Sequence, residues 1–235
     1  MRLSARVFVG AAAAMVPLLC LAQSPGQIVG RVVIENSSSA VAGATVSVVR
    51  VGAPIANPAP YSAQTYTGTN GMFSLSGVQP GRLAICVTAE GTDLLPTCEW
   101  DPPRILDVLP GKTGGLEISM ERGKRLRFEI DDPKELLDKN EKPGTGVRLL
   151  VGVWTPGRTF LPAGVTRRDK KGRDQEVLVP FEVDIGLGVH GKKLVIEDDK
   201  AKRVKVDDVP DKIKVGKGEG PGAKALKYKV KDLEP

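Results

Sequence analysis

The chain has 235 residues, 41% apolar, 26% charged and 4% aromatic, with a formal net charge of +6. That apolar share excludes global disorder, and the length allows one or two domains. One histidine and three cysteines exclude most histidine-based zinc sites and catalysis, while 27 glycines and 18 prolines favour many short strands over long helices.

Residues 1–22 read as an export signal. Arg2 and Arg6 precede the apolar run Val7 to Leu21, and Ala22 stands at a cleavage position before Gln23. One alternative is a buried first helix, but Pro25-Gly26 breaks the chain at once. Another is lipid attachment at Cys20, where Leu19 occupies a place that requires a small residue. No later apolar run is long enough to span a membrane as a helix. Export places the protein in a secreted, periplasmic or cell-envelope compartment, which is oxidising. Signal removal leaves Cys86 and Cys98, with one possible pairing across a turn-rich segment; two separate thiols are the alternative.

Composition changes along the chain. Residues 24–100 carry seven charges (Arg31, Glu35, Arg50, Arg82, Glu90, Asp93 and Glu99), a net of −1. Residues 101–235 carry 29 Lys/Arg against 24 Asp/Glu, a net of +5. The contrast predicts two modules, 24–121 and 122–235. In the first, strand signals run over Gln27 to Ile34, Ala44 to Val51, Ala63 to Thr67, Met72 to Leu75, Arg82 to Ala89, Ile105 to Leu109 and Leu116 to Met120. Ser37–Ser39, the proline-containing stretch 52–60, Asn70-Gly71 and Gln79-Pro80-Gly81 are the turns and loops between them. Asn70-Gly71 is expected to make a tight hairpin turn, and the last two strands are expected to pair across Pro110-Gly111. About seven short strands at regular spacing predict a two-sheet sandwich.

Gly26, Ile28, Gly30 and Val32, then Ala42, Gly43, Ala44 and Val46, form one set of spaced positions. Thr67, Asn70, Gly71, Phe73, Val78, Pro80 and Gly81 form a second. Over residues 26–120 this pattern resembles the carboxypeptidase regulatory-like domain. Leu83 departs from it, where the family usually has an aromatic residue. The resemblance implies an all-β fold, a transthyretin-like (Ig-like) seven-stranded sandwich. It also implies an accessory role, since such modules sit beside metallocarboxypeptidase domains, on outer-membrane receptors or in exported proteins. The chain lacks the His/Glu constellation of the zinc peptidase. It also ends in Lys-Asp-Leu-Glu-Pro, unlike the related hydroxyisourate-hydrolysing sandwich.

After Glu121 the rhythm continues over Arg125 to Ile130, Val147 to Trp154, Gln175 to Phe181, Lys193 to Glu197, Arg203 to Val206 and Ala225 to Val230. These predict a second, smaller β domain with a basic, partly flexible tail over 209–222. One helix is expected at Pro133 to Lys139, with Asp132 as its cap and Pro133 in its first position.

Candidate chemistry is sparse. His190, between glycines, is expected in a turn. The acidic pairs Asp131-Asp132, Asp198-Asp199 and Asp207-Asp208 lack the calcium-loop pattern and have lysines around them. Arg167, Arg168, Lys170, Lys171 and Arg173 form the densest basic run, read as a charged loop tip able to meet an anionic polysaccharide. Trp100, Trp154, Phe160 and Phe181 are the rings a sugar platform would use, with Trp154 foremost. No catalytic residue, metal or cofactor is assigned. The sequence predicts an exported, non-catalytic structural or protein-interaction module of the cell envelope, or alternatively a carbohydrate-binding accessory protein. The partner is then an envelope protein or polysaccharide, not nucleic acid.

Overall fold

A computed structural model describes residues 24–52, 62–142, 144–145, 147–204, 212–216 and 224–233. The expected signal, most of the 52–60 loop, Asp207-Asp208 and much of the 209–222 tail lie outside these residues.

Seven strands form the first half: β1 Gly26–Ile34, β2 Thr45–Arg50, β3 Ser62–Tyr66, β4 Met72–Val78, β5 Gly81–Thr88, β6 Arg104–Val108 and β7 Thr113–Met120. They make two sheets, ordered β4-β1-β7 and β3-β2-β5-β6. Alternation decides which side chains turn inward. On β1 the inward set includes Ile28 and Val32, on β2 Val46 and Val48, and on β5 Leu83, Ile85 and Val87, all buried in one core.

Two expectations need correction. The strands flanking Pro110-Gly111 do not pair with each other. β6 pairs with β5, and β7 pairs with β1 in the opposite sheet. Asn70-Gly71 likewise carries the chain from β3 in one sheet to β4 in the other. A turn dipeptide specifies that the chain reverses, not which neighbour it finds afterwards. Here both strands on each side of the turn bury a face, and a sandwich offers each its own layer. Gly71 has a φ of 75°, and a Cβ on it would lie 2.5 Å from the Val32 carbonyl oxygen, so the turn admits only glycine.

The second half holds β8 Gly123–Asp131, α1 Leu136–Asn140, β9 Arg148–Trp154, β10 Phe160–Pro162, β11 Gly164–Asp169, β12 Gly172–Pro180, β13 Asp184–Lys192, β14 Leu194–Asp198, β15 Arg203–Val204, β16 Lys212–Lys214 and β17 Lys224–Leu233. Its sheets are ordered β11-β12-β8-β17-β14-β15 and β10-β9-β13-β16. Without the added β11, β14 and β15, these orders repeat the first half strand for strand. β8 stands for β1, β9 for β2, β10 for β3, β12 for β4, β13 for β5, β16 for β6 and β17 for β7. The directions agree as well. The first strand of each half pairs antiparallel with its fourth and parallel with its seventh. A second core contains Phe128, Leu126, Val151, Val153, Ile185 and Val230. The chain is therefore all-β, two sandwiches of one topology in tandem.

The helix is shorter than expected and starts later. Glu135, in the left-handed region at φ 57°, precedes it. Asp132 still caps it from a distance, its buried carboxylate accepting from the N–H groups of Leu136 at 2.9 Å and Leu137 at 2.7 Å. Pro133 lies outside the helix.

Phe128 is fully buried. Phe128→Ala is expected to cost about 3–5 kcal/mol, read from denaturant unfolding. Gly71→Ala should cost at least 1 kcal/mol through backbone strain alone.

Candidate functional site

Three places concentrate the residues picked out by sequence. The first is the disulfide loop. Cys86 is on β5, opposite Ser47 of β2, and it is bonded to Cys98 with a Cα–Cα separation of 5.5 Å. The loop returns along β5: Thr97 N–H donates to the Val87 carbonyl at 3.0 Å, and Val87 N–H donates to Thr97 Oγ1 at 2.9 Å. Its tip then grips the connector between the halves. Leu95 N–H donates to the Glu121 carbonyl at 2.8 Å, Gly123 N–H donates to the Asp93 carbonyl at 2.7 Å, and Arg125 donates to the Thr92 carbonyl at 2.7 Å. Leu94 and Leu95 are buried, and Trp100 packs against the second core. The indole N–H of Trp100 has no hydrogen-bond partner among the described residues. Arg122 and Asp93 pair at 2.7 Å, but both are more than half exposed, so that pair is worth at most about 1 kcal/mol. The buried leucines and the backbone bonds do most of the gripping.

The second place is the basic run. It is a hairpin rather than a loop tip: Arg167, Arg168 and Asp169 end β11, Lys170 and Lys171 make the two-residue turn, and Arg173 opens β12. Alternation sends Arg173 inward, where its side chain is only 6% exposed. It donates to Glu141 Oε2 at 2.7 Å and Oε1 at 3.2 Å, and to the Leu149 carbonyl at 3.1 Å. Glu141 also accepts from Leu149 N–H at 3.0 Å. Burial pushes the Glu141 carboxyl up, but the bonds from Arg173 and Leu149 and the nearby charge of Arg168 outweigh it and hold it below 4.5. Asp174, also buried, accepts from Arg127 at 2.7 Å and Arg167 at 2.9 Å. Arg168 lies 3.9 Å from Glu141. The three arginines thus face carboxylates of their own chain, and the exposed Lys170 and Lys171 are left at the tip.

The third place is an aromatic cluster on the outward face of β9, β10 and β13. Trp154 and Phe160 are cross-strand partners with ring centroids 5.1 Å apart. His190 is in β13, not in a turn. It sits edge-on to Trp154 at 6.3 Å and to Phe160 at 5.7 Å. The glycines explain both the ring packing and the missed strand. A Cβ at Gly188 would lie 2.5 Å from Phe160, and one at Gly152 would lie 2.9 Å from it. The bare backbone is the floor on which the Phe160 ring rests. Phe181, like Trp100, packs against the second core.

The described acidic pairs serve local structure. Asp132 caps α1, Asp131 faces Lys229 at 3.8 Å, and Asp198 accepts from the N–H groups of Lys200 and Lys202. Among the described residues no three His, Cys, Asp or Glu side chains converge as metal ligands.

No family model and no curated protein matches this sequence. Solved structures align over most of the chain at low identity. A streptococcal ancillary pilin shares 12% identity over 88% of this chain and 62% of its own, with a TM-score of 0.38. The Bacillus anthracis TIE protein shares 12% over 88% and 34%, with a TM-score of 0.35. A DUF3823 family protein from Bacteroides uniformis shares 12% over 89% and 99%, with a TM-score of 0.32. The chain therefore spans about a third of the TIE protein and under two thirds of the ancillary pilin. At these TM-scores the likeness says nothing about function, and the fold rests on the strand order itself.

Two outcomes follow from this geometry. Arg173→Ala removes both guanidinium hydrogen bonds from Glu141 and should cost about 2–3 kcal/mol in denaturant unfolding at pH 7. Because the Glu141 carboxyl is depressed, its contribution is present above its ordinary value of 4.5 and fades as pH falls below it. The gap between wild type and variant should narrow in acid. Replacing both Cys86 and Cys98 with serine should cost about 3 kcal/mol by releasing a loop of this length.

Proposed function

We propose that this chain is an exported, non-catalytic structural or protein-interaction protein of the cell envelope. In this reading an export signal at 1–22 precedes two β-sandwich modules, 24–121 and 122–235, the first of the carboxypeptidase regulatory-like type. The observation that carries it is the parallel pairing of first and last strands in both halves. β1 runs beside β7, and β8 runs beside β17. A chain so paired enters a sandwich at one end and leaves at the other. Each of these eight- to ten-residue strands then adds about 3.3 Å per residue of reach. Two such units in series suit a spacer that holds attached groups apart. The disulfide loop on the connector suits an oxidising compartment and a stiff junction. The buried charges support the non-catalytic part. Active sites hold titratable groups poised for substrate, whereas Arg173, Glu141, Asp174 and Asp132 are each engaged by groups of their own chain. Among the described residues no helix is long and apolar enough to cross a membrane.

Carbohydrate binding is the second reading, favoured by the meeting of Trp154, Phe160 and His190 on one outward face. Sugars stack on such rings, and Lys170 and Lys171 would add attraction for an anionic polysaccharide. A glycan array with no hits, or hits unaffected by Trp154→Ala, removes it.

The main reading is tested on protein recovered after export. Intact mass should place the new N-terminus at Gln23 and account for two oxidised thiols. An acylated Cys20 would instead show lipid anchoring, and retention of residue 1 would defeat export. A pull-down from envelope extract should retain a partner that weakens under reductant.

A further inference from the structure

The two halves share a topology, but they do not share edges. In the second half, inserted strands cover both flanks of the β12-β8-β17 core: β11 pairs antiparallel with β12, and β14 pairs antiparallel with β17. The outer strands left there are short or charged. β10 and β16 have three residues each, β15 has two, and β11 carries Arg167, Arg168 and Asp169. These are the usual devices that stop a sheet edge from recruiting another chain. In the first half the corresponding strands β4 and β7 have no such cover among the described residues. On the β6–β7 side, Arg104 reaches from β6 and donates to the Glu117 carbonyl on β7 at 2.8 Å, and Arg82 and Asp107 add charge. Among the described residues the β4 side has none of this. Its sequence, Met-Phe-Ser-Leu-Ser-Gly-Val, has no charged residue and no proline.

The backbone groups that remain open on β4 can be identified. Gly71 turns its carbonyl to Val32 on β1, while Met72 turns its carbonyl to Gly68, away from β1. Antiparallel pairing alternates residue by residue, so Phe73 and Leu75 bond to β1, and Ser74 and Ser76 present N–H and C=O to the open side. Asn70 and Gly68 already satisfy Met72. At Gly77, with φ of 71°, the register with β1 shifts and the flat stretch ends. Two residues whose four backbone groups have no partner among the described residues remain, at the position that β11 fills in the other half.

We propose that this edge pairs with the same edge of a second copy of the chain, β4 against β4 about a two-fold axis at Leu75. Ser74 then lies opposite Ser76 of the other copy, and four backbone hydrogen bonds close the ladder. This rests on the protein-interaction reading above and names its partner. Charge selects a second copy through this half. β4 has no charge to repel itself and its half carries a net of only −3 over 24–121, whereas the second half, at a net of +7 over 122–235, opposes its own duplicate. Four hydrogen bonds make a weak, concentration-dependent dimer.

Sedimentation equilibrium of the oxidised full chain from about 10 μM to about 1 mM is the test, since weak transient contacts fall in this range. The wild type should pass from monomer to dimer. Ser74→Lys/Ser76→Lys, exposed positions whose backbone bonds do not serve β1 and whose hydroxyls accept exposed hydrogen bonds from Gln27 Nε2 at 2.9 and 3.4 Å, should stay monomeric with at most a small loss of Tm. Val165→Lys on β11 should dimerise like wild type. Mixing Ser74→Cys with Ser76→Cys should give a crosslinked dimer that neither gives alone. A wild type monomeric throughout, a dimer that survives the lysine pair, or crosslinking indifferent to mixing would overturn the proposal. A monomer that still retains an envelope partner would remove only this inference, while failure of both would remove the protein-interaction reading.

Discussion

The parallel ladder between the first and last strand of each half is the constraint from which the rest follows. A local turn cannot make it, because parallel neighbours need a long return path. Five intervening core strands supply that path, and they become the second layer and the remaining edge. Once β1 and β7 are side by side, the inward faces of both sheets close over one core. The end of β7 then points away from the start of β1, and β8 can begin a second sandwich without doubling back. The connector is only Glu121 and Arg122. So short a link would be a hinge if nothing held it. The loop tied by Cys86–Cys98 supplies the hold through Asp93 and Leu95.

Charge is handled differently in the two halves. Among the described residues the first buries no charged side chain and relies on aliphatic packing. The second buries Arg173, Asp174 and Asp132. Pairs of this kind seldom add net stability over an apolar substitute, yet breaking one is costly. Their use here is positional. Arg173 ties the start of β12 to Glu141 and to the Leu149 carbonyl, which fixes the segment after α1 against both sheets. A hydrophobic contact would not specify that register.

The first half was legible because local signals agreed with one another. Alternation in Thr45–Arg50 and Gly81–Thr88 and turn chemistry at Asn70-Gly71 all pointed to strands of the right length. Pairing was not legible, because β7 finds β1 across some eighty residues and nothing local marks that choice. In the second half the six strands with aliphatic runs could be read, while β10, β11, β13 and β16 could not. β13 contains Gly186, Gly188 and Gly191, which lower strand propensity. Their use became visible only with the Phe160 ring lying over Gly188. The same limit hid Arg173. Seven residues of basic sequence read as surface, but a β hairpin turns alternate members inward, and only the fold shows which ones meet carboxylates. The Cys86–Cys98 pairing needed only counting, yet its hold on the connector depends on a tertiary contact.

The repeated topology had no trace in the sequence, since the cores are filled by different residues. Where β1 offers Ile28 and Val32, β8 offers Leu126 and Phe128. Burial asks for volume and apolar character at inward positions, not for particular side chains, so two copies of one strand order can diverge until no pattern joins them. Positions outside the core have no such freedom when they face a partner. An edge that binds must stay free of charge and cover, and an edge that must not bind has to acquire one or the other. The inserted strands and arginines of the second half, set against the uncharged serines of β4, are what that difference in demand would leave on two sandwiches with the same interior plan.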